Sequence, residues 1–145
     1  MGRVVVEVLL ENLEDLWAVR RGSCAADQVR RVVVADALVD TGATLLSLPT
    51  RAIHELGLQP VAKNRITSSA GIGEATLYDA VWLTVQGRSC GMDVLEVPDS
   101  VPVLIGQIPL EHLDFRIDMR GRHMAASTCT SCFESAQLAN AGVAP

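Results

Sequence analysis

The sequence predicts an all-β domain, a small barrel or a distorted sandwich. Three observations point there. Valine-rich runs of strand length recur along the chain, turn signals separate them, and only two short stretches carry a helical pattern. With 145 residues the chain is long enough for one domain with its own core and needs no disulfide or metal staple. Aromatic residues make up 3% of it against 49% hydrophobic residues overall, so Val, Leu, Ile and Ala must do the packing.

Taken in order, residues 3–13 (RVVVEVLLENL) open the chain as a valine-rich strand. Glu14 and Asp15 read as a solvated turn after it. Residues 29–40 (VRRVVVADALVD) form a second long strand, with Asp36 at a strand edge or loop. Residues 48–60 (LPTRAIHELGLQP) read as a short helix: Pro49 lies near its start, Ile53 and Leu56 share a face, and Gly57 stops it. Further on, Val81, Leu83 and Val85 alternate with Ala80, Trp82 and Thr84, the period of a strand, with Asp79 at a strand edge or loop. Two more strands follow in SCGMDVLEV and VPVLIG, divided by the turn signal Pro98-Asp99-Ser100. Residues 108–114 (IPLEHLD) suggest a second short helix. From Met119 the composition turns small and polar, so residues 1–118 are expected to form the domain and 119–145 a flexible tail.

Charge and composition exclude several classes. A net charge of −5 argues against a basic groove for nucleic acid. No run of about 18 apolar residues is present, so no membrane span is expected. The apolar run of residues 4–10 is broken by Glu7 and lacks a small-residue cleavage site, which argues against a signal peptide. The four cysteines, Cys24, Cys90, Cys129 and Cys132, are scattered, so reduced thiols and a cytoplasmic location are expected. Cys129 and Cys132 have ligand spacing and His123 is close, but a structural zinc takes four ligands. Gly71-Ile72-Gly73-Glu74 lacks the third glycine and following helix of a nucleotide loop. His54 and His112 read as surface residues of helices, and Cys90 as a packed thiol with no base nearby. No metal or cofactor is expected.

One stretch resists a bland reading. In LVDTGATLLSLP an apolar run ends in Asp40, then Thr41 and Gly42, and apolar residues resume. A bare Asp-Thr-Gly is most often a turn. Here Ala37, Leu38 and Val39 lead in, and Ala43, Leu45, Leu46 and Leu48 lead out. A carboxylate flanked this way belongs in a protected depression, where it can activate water. The triplet occurs only once.

VDTGAT together with VLIGQIPLEHLDF resembles the retroviral-type, or retropepsin-like, aspartic proteases, and the wording of the second stretch is closer to their bacterial branch than to the viral enzymes. Leu38, Val39, Asp40, Thr41, Gly42 and Ala43 match the family's first motif, and Leu104, Ile105 and Gly106 its second. Between them, RITSSAGIGEATLYDAVWL looks like the family's flap hairpin, with Gly71, Ile72 and Gly73 at its tip. The resemblance covers residues 29–118. It implies a small closed or partly open barrel with one or two short helices, built as an obligate homodimer. It also implies an endopeptidase acting on peptides or proteins through a dyad of Asp40 and its twin in a second copy. Thr41 would brace the two loops, and Gly42 and Ala43 would line the floor beside the scissile bond. Gly71, Ile72 and Gly73 would close over the substrate, and Leu38, Leu45, Pro102 and Leu104 would wall its pockets. The alternative is a peptide-binding or scaffold protein on the same fold whose dyad does not assemble.

The sequence also departs from the viral pattern. Viral enzymes commonly carry an Asp two residues after the motif glycine and an Arg directly after the later glycine; these places hold Thr44 and Gln107. The intersubunit ion pair those residues support is not expected here. The helical insertion after Pro49 is seen more in cellular relatives.

Overall fold

The computed structural model describes residues 3–68, 71–118 and 123–126. Nine strands and three α-helices are described, with a 3₁₀ turn at Ala26–Gln28. They are β1 (Val4–Asn12), α1 (Leu13–Arg20), β2 (Arg31–Val39), β3 (Leu46–Pro49), α2 (Thr50–Leu56), β4 (Pro60–Ser68), β5 (Gly71–Val85), β6 (Arg88–Val97), β7 (Leu104–Ile105), α3 (Gln107–His112), β8 (Phe115–Asp118) and β9 (His123–Ala126). The main sheet runs β1-β2-β7-β3-β6-β5-β4, and β1 pairs again with β5. Six strands therefore close a ring, and β4 stands outside it as the second arm of a hairpin with β5. This is the all-β, partly open barrel that the sequence predicts.

The ring is mixed. β2 and β7 pair in parallel, as do β3 and β6, while the other contacts round the ring are antiparallel. Its interior is aliphatic. Val4, Val6, Val8 and Leu10 alternate inward along β1, and Val81, Leu83 and Val85 face them from β5 at 1% exposure or less. α2 turns Ala52, Ile53 and Leu56 onto the core and stops at Gly57, whose φ of 66° suits a residue without a Cβ.

Two elements differ from the sequence reading. Glu14 and Asp15 are not a turn but the first turn of α1, where the Asn12 side chain accepts the Asp15 N–H at 3.1 Å. α1 buries none of its residues, so it carries no apolar stripe to mark it as a helix. Beyond Asp118, residues 123–126 form β9 and pair with β8, where the sequence has no strand signal. The rest of the expected tail, with Cys129 and Cys132, lies outside the described residues. Among the described residues no helix is long and apolar enough to cross a membrane.

Candidate active site

Asp40 is the first residue beyond β2, and the ladder with β7 sets its place. Leu38 donates its N–H to the Val103 carbonyl at 2.8 Å, and Asp40 donates its own to the Ile105 carbonyl at 3.0 Å. On the other edge of β7 lies β3, with Leu46 opposite Ile105 and Ser47 opposite Leu104. The two residues of β7 are thus threaded between the strands that enter and leave the Asp40 loop. Neighbours flank this short strand on both sides and so offer partners to its backbone groups.

The loop is fixed from below as well. Ala43 donates to the Asp40 carbonyl at 3.1 Å, closing a tight turn. Gln107 and Ile108, at the start of α3, donate their N–H groups to the Ala43 and Thr44 carbonyls at 2.9 and 3.0 Å. Gly106 makes this approach feasible: a Cβ there would stand 2.5 Å from the Leu45 carbonyl oxygen and 2.8 Å from that of Ala43. Only glycine lets backbone cross backbone so closely.

The carboxylate is held on one side. Gly42 donates its N–H to Asp40 Oδ1 at 2.9 Å, and a Cβ on Gly42 would crowd that oxygen at 3.2 Å. Among the described residues Oδ2 has no partner. Asp40 is half-buried, and Thr41 and Gly42 are exposed. Such an arrangement presents one oriented oxygen outward from a rigid base. Among the described residues no group of His, Cys, Asp and Glu could hold a metal ion.

The other candidates fall into three places. Leu38 and Leu104 are Cα partners in adjoining strands, and with Ala43 and Leu45 they lie half-buried in the Asp40 unit. Gly71, Ile72 and Gly73 begin β5, opposite Ser68, Thr67 and Ile66 at the outer end of the β4–β5 hairpin. Ile72 is 77% exposed there. Pro102 lines a cavity between β2 and α2 that Asp40 does not touch. In the sequence Gly106 stands out only as part of a motif, and the amides of Gln107 and Ile108 do not stand out at all. A glycine directly before a helix start was the available signal. Gln107, in the place of the viral arginine, donates from Nε2 to Glu111 Oε1 at 3.0 Å and is engaged within its own helix.

A family model described as "Aspartyl protease" matches residues 28–108. The matched span takes in β2, Asp40, the β4–β5 hairpin and Gly106. No curated protein matches the chain.

Proposed function

This chain belongs to the aspartyl protease family, and we propose that it cleaves peptide bonds with a water activated between two copies of Asp40. The observation that carries the reading is the single Asp-Thr-Gly whose carboxylate is anchored at Oδ1 by Gly42 and leaves Oδ2 open. One carboxylate, with an ordinary pKa of about 3.9, is a weak base. Two held about 3 Å apart cannot both ionise and share one proton, as aspartic proteases in general illustrate. A chain with one such loop needs a second copy, so the contact is two-fold and isologous.

The chemistry then balances. The ionised Asp40 takes a proton from water as the water oxygen bonds to the scissile carbonyl carbon. Asp40 of the second copy gives its proton to the carbonyl oxygen. The tetrahedral diol collapses as the second copy's Asp40 takes back a hydroxyl proton, the C–N bond breaks, and the nitrogen leaves with the proton the first Asp40 took from water, which restores the dyad. Thr41 braces the paired loops. Leu38, Ala43, Leu45 and Leu104 form the apolar floor, while Pro102, expected in the sequence as a pocket wall, lies in the separate cavity between β2 and α2. The substrate lies extended, pairing by its main chain, and the hairpin tip at Gly71, Ile72 and Gly73 closes over it and excludes water.

A second reading keeps the fold and drops the chemistry: a peptide-binding or scaffold protein whose carboxylates never meet. The Gln107–Glu111 bond favours it, because a side chain engaged in its own helix does not brace a twin. Incubating the purified protein with a denatured protein or a peptide library at mildly acidic pH separates the two. Cleavage, blocked by a statine-type inhibitor and lowered at least about 10²-fold in Asp40→Asn, is the expected result. Cleavage that survives Asp40→Asn would reject the mechanism, and peptide binding without cleavage would select the second reading.

A further inference from the structure

The ring leaves part of one strand uncovered. β2 pairs with β1 along its length, but on its other side β7 reaches only Leu38 and Val39. One bond gives the direction of the free groups. Asn12 donates its N–H to the Arg30 carbonyl at 2.9 Å. Alternation along an antiparallel ladder then turns Val32 and Val34 towards β1, and Arg31 and Val33 away from it. The outward N–H and C=O groups of Arg31 and Val33 have no backbone partner among the described residues.

α2 stands across from this edge, and between them lies a cavity of about 260 Å³. Val33, Ala52 and Pro102 give it apolar walls; Asp36, Arg51 and Glu55 give it a charged rim. Val33 is 62% exposed. The charges are not balanced. Arg51 donates its backbone N–H to the Asp99 carboxylate at 2.9 Å and its guanidinium to the Asp99 carbonyl at 3.0 Å; these bonds orient it but leave its charge, so the rim sets two acids against one base. The Asp36 and Glu55 carboxylates have no partner among the described residues. An unpaired edge, an apolar wall and a net acidic rim therefore converge on one groove.

We infer that this groove is a second peptide site, taking an extended segment in which apolar and basic side chains alternate. The segment adds to β2 as a strand, its main chain pairing with Arg31 and Val33. Its apolar side chains cover Val33 and Pro102, and its lysines or arginines meet Asp36 and Glu55. Asp40 does not line the cavity, so this binding is independent of hydrolysis.

The full chain, carrying Asp40→Asn so that the probe stays intact, is titrated by fluorescence anisotropy with a labelled, end-capped peptide of alternating valine and lysine. A valine–glutamate peptide is the control. The lysine peptide is expected to bind at least about tenfold more tightly than the control, a difference of about 1.4 kcal/mol. Val33→Pro removes the outward N–H and spares the β1 ladder, because proline is tolerated at a sheet edge. Glu55→Lys reverses one charge on an exposed helix face without touching the backbone. Each is expected to weaken the lysine peptide by about tenfold or more. Absence of binding, or affinity unchanged in both variants, overturns the site. Displacement of the peptide by a statine-type inhibitor overturns it too, because the peptide then lies at Asp40. So does a dimer that dissociates in Val33→Pro, because the edge then belongs to a contact between copies.

Discussion

Gly106 shows how one missing side chain sets the geometry of another residue's function. The carbonyls of Ala43 and Leu45 occupy the space a Cβ would need, and both are backbone atoms that cannot swing aside. Gly106→Ala must therefore push the Asp40 loop away from α3. The expected loss of stability is about 1–3 kcal/mol, measured by urea unfolding. Cleavage is expected to fall further than stability alone explains, because the shift displaces the carboxylate itself. An Ala variant with full activity and unchanged stability would show that the crossing is slack. Asp40 and Gly42 were legible in the sequence because their chemistry is local: a carboxylate, then an amide two residues on. The close approach at Gly106 was not, because a glycine before a helix start marks a special position without recording what lies across the loop.

Among the elements, α1 was hidden for a physical reason. Its stability comes from its ends rather than from a buried face. Asn12 is 2% exposed and does three things: it accepts the Asp15 N–H, donates from Nδ2 to the Leu56 carbonyl at 2.7 Å, and joins β1 to Arg30. Asn12→Ala removes a helix cap worth about 1 kcal/mol and strands a buried carbonyl at about 1–3 kcal/mol more. A fall of about 2–4 kcal/mol in unfolding free energy is expected. Asp15 adds a pH-dependent part. Its bidentate contact with Arg30, both N···O distances 2.9 Å, holds its carboxyl below the usual carboxylate range; the hydrogen bond from Arg30 is the main cause. A pKa lowered by folding stabilises above the unfolded value and ceases to do so as pH falls through the folded one. Asp15→Asn is thus expected to cost about 0.5–1 kcal/mol at pH 7, a modest figure because Arg30 is half exposed. The gap between variant and parent should close as pH falls below about 4, followed by thermal melts across pH. The strands, by contrast, were readable wherever alternation met a buried face, as along Val81, Leu83 and Val85. β9 was not, because its pairing with β8 and not its composition makes it a strand.

At the scale of the whole molecule, the proposed dyad makes activity a property of concentration. If each working site needs two Asp40 loops, the cleavage rate should rise with nearly the square of protein concentration well below the dissociation constant, and linearly well above it. A dilution series of initial rates, read beside sedimentation, checks this; a rate linear throughout, with only monomer present, would exclude a shared site. The closed ring itself joins residues far apart in the chain, as β2 does with β7, and non-local pairings of this kind slow folding. The threading of β7 between β2 and β3 has a temporal consequence. At synthesis rates of roughly 5–20 residues per second, Asp40 leaves the ribosome several seconds before Leu104, Ile105 and Gly106 exist. Throughout that interval the nascent chain has no floor on which to seat its acid. On the proposed reading, the working site therefore cannot form until synthesis has passed Gly106.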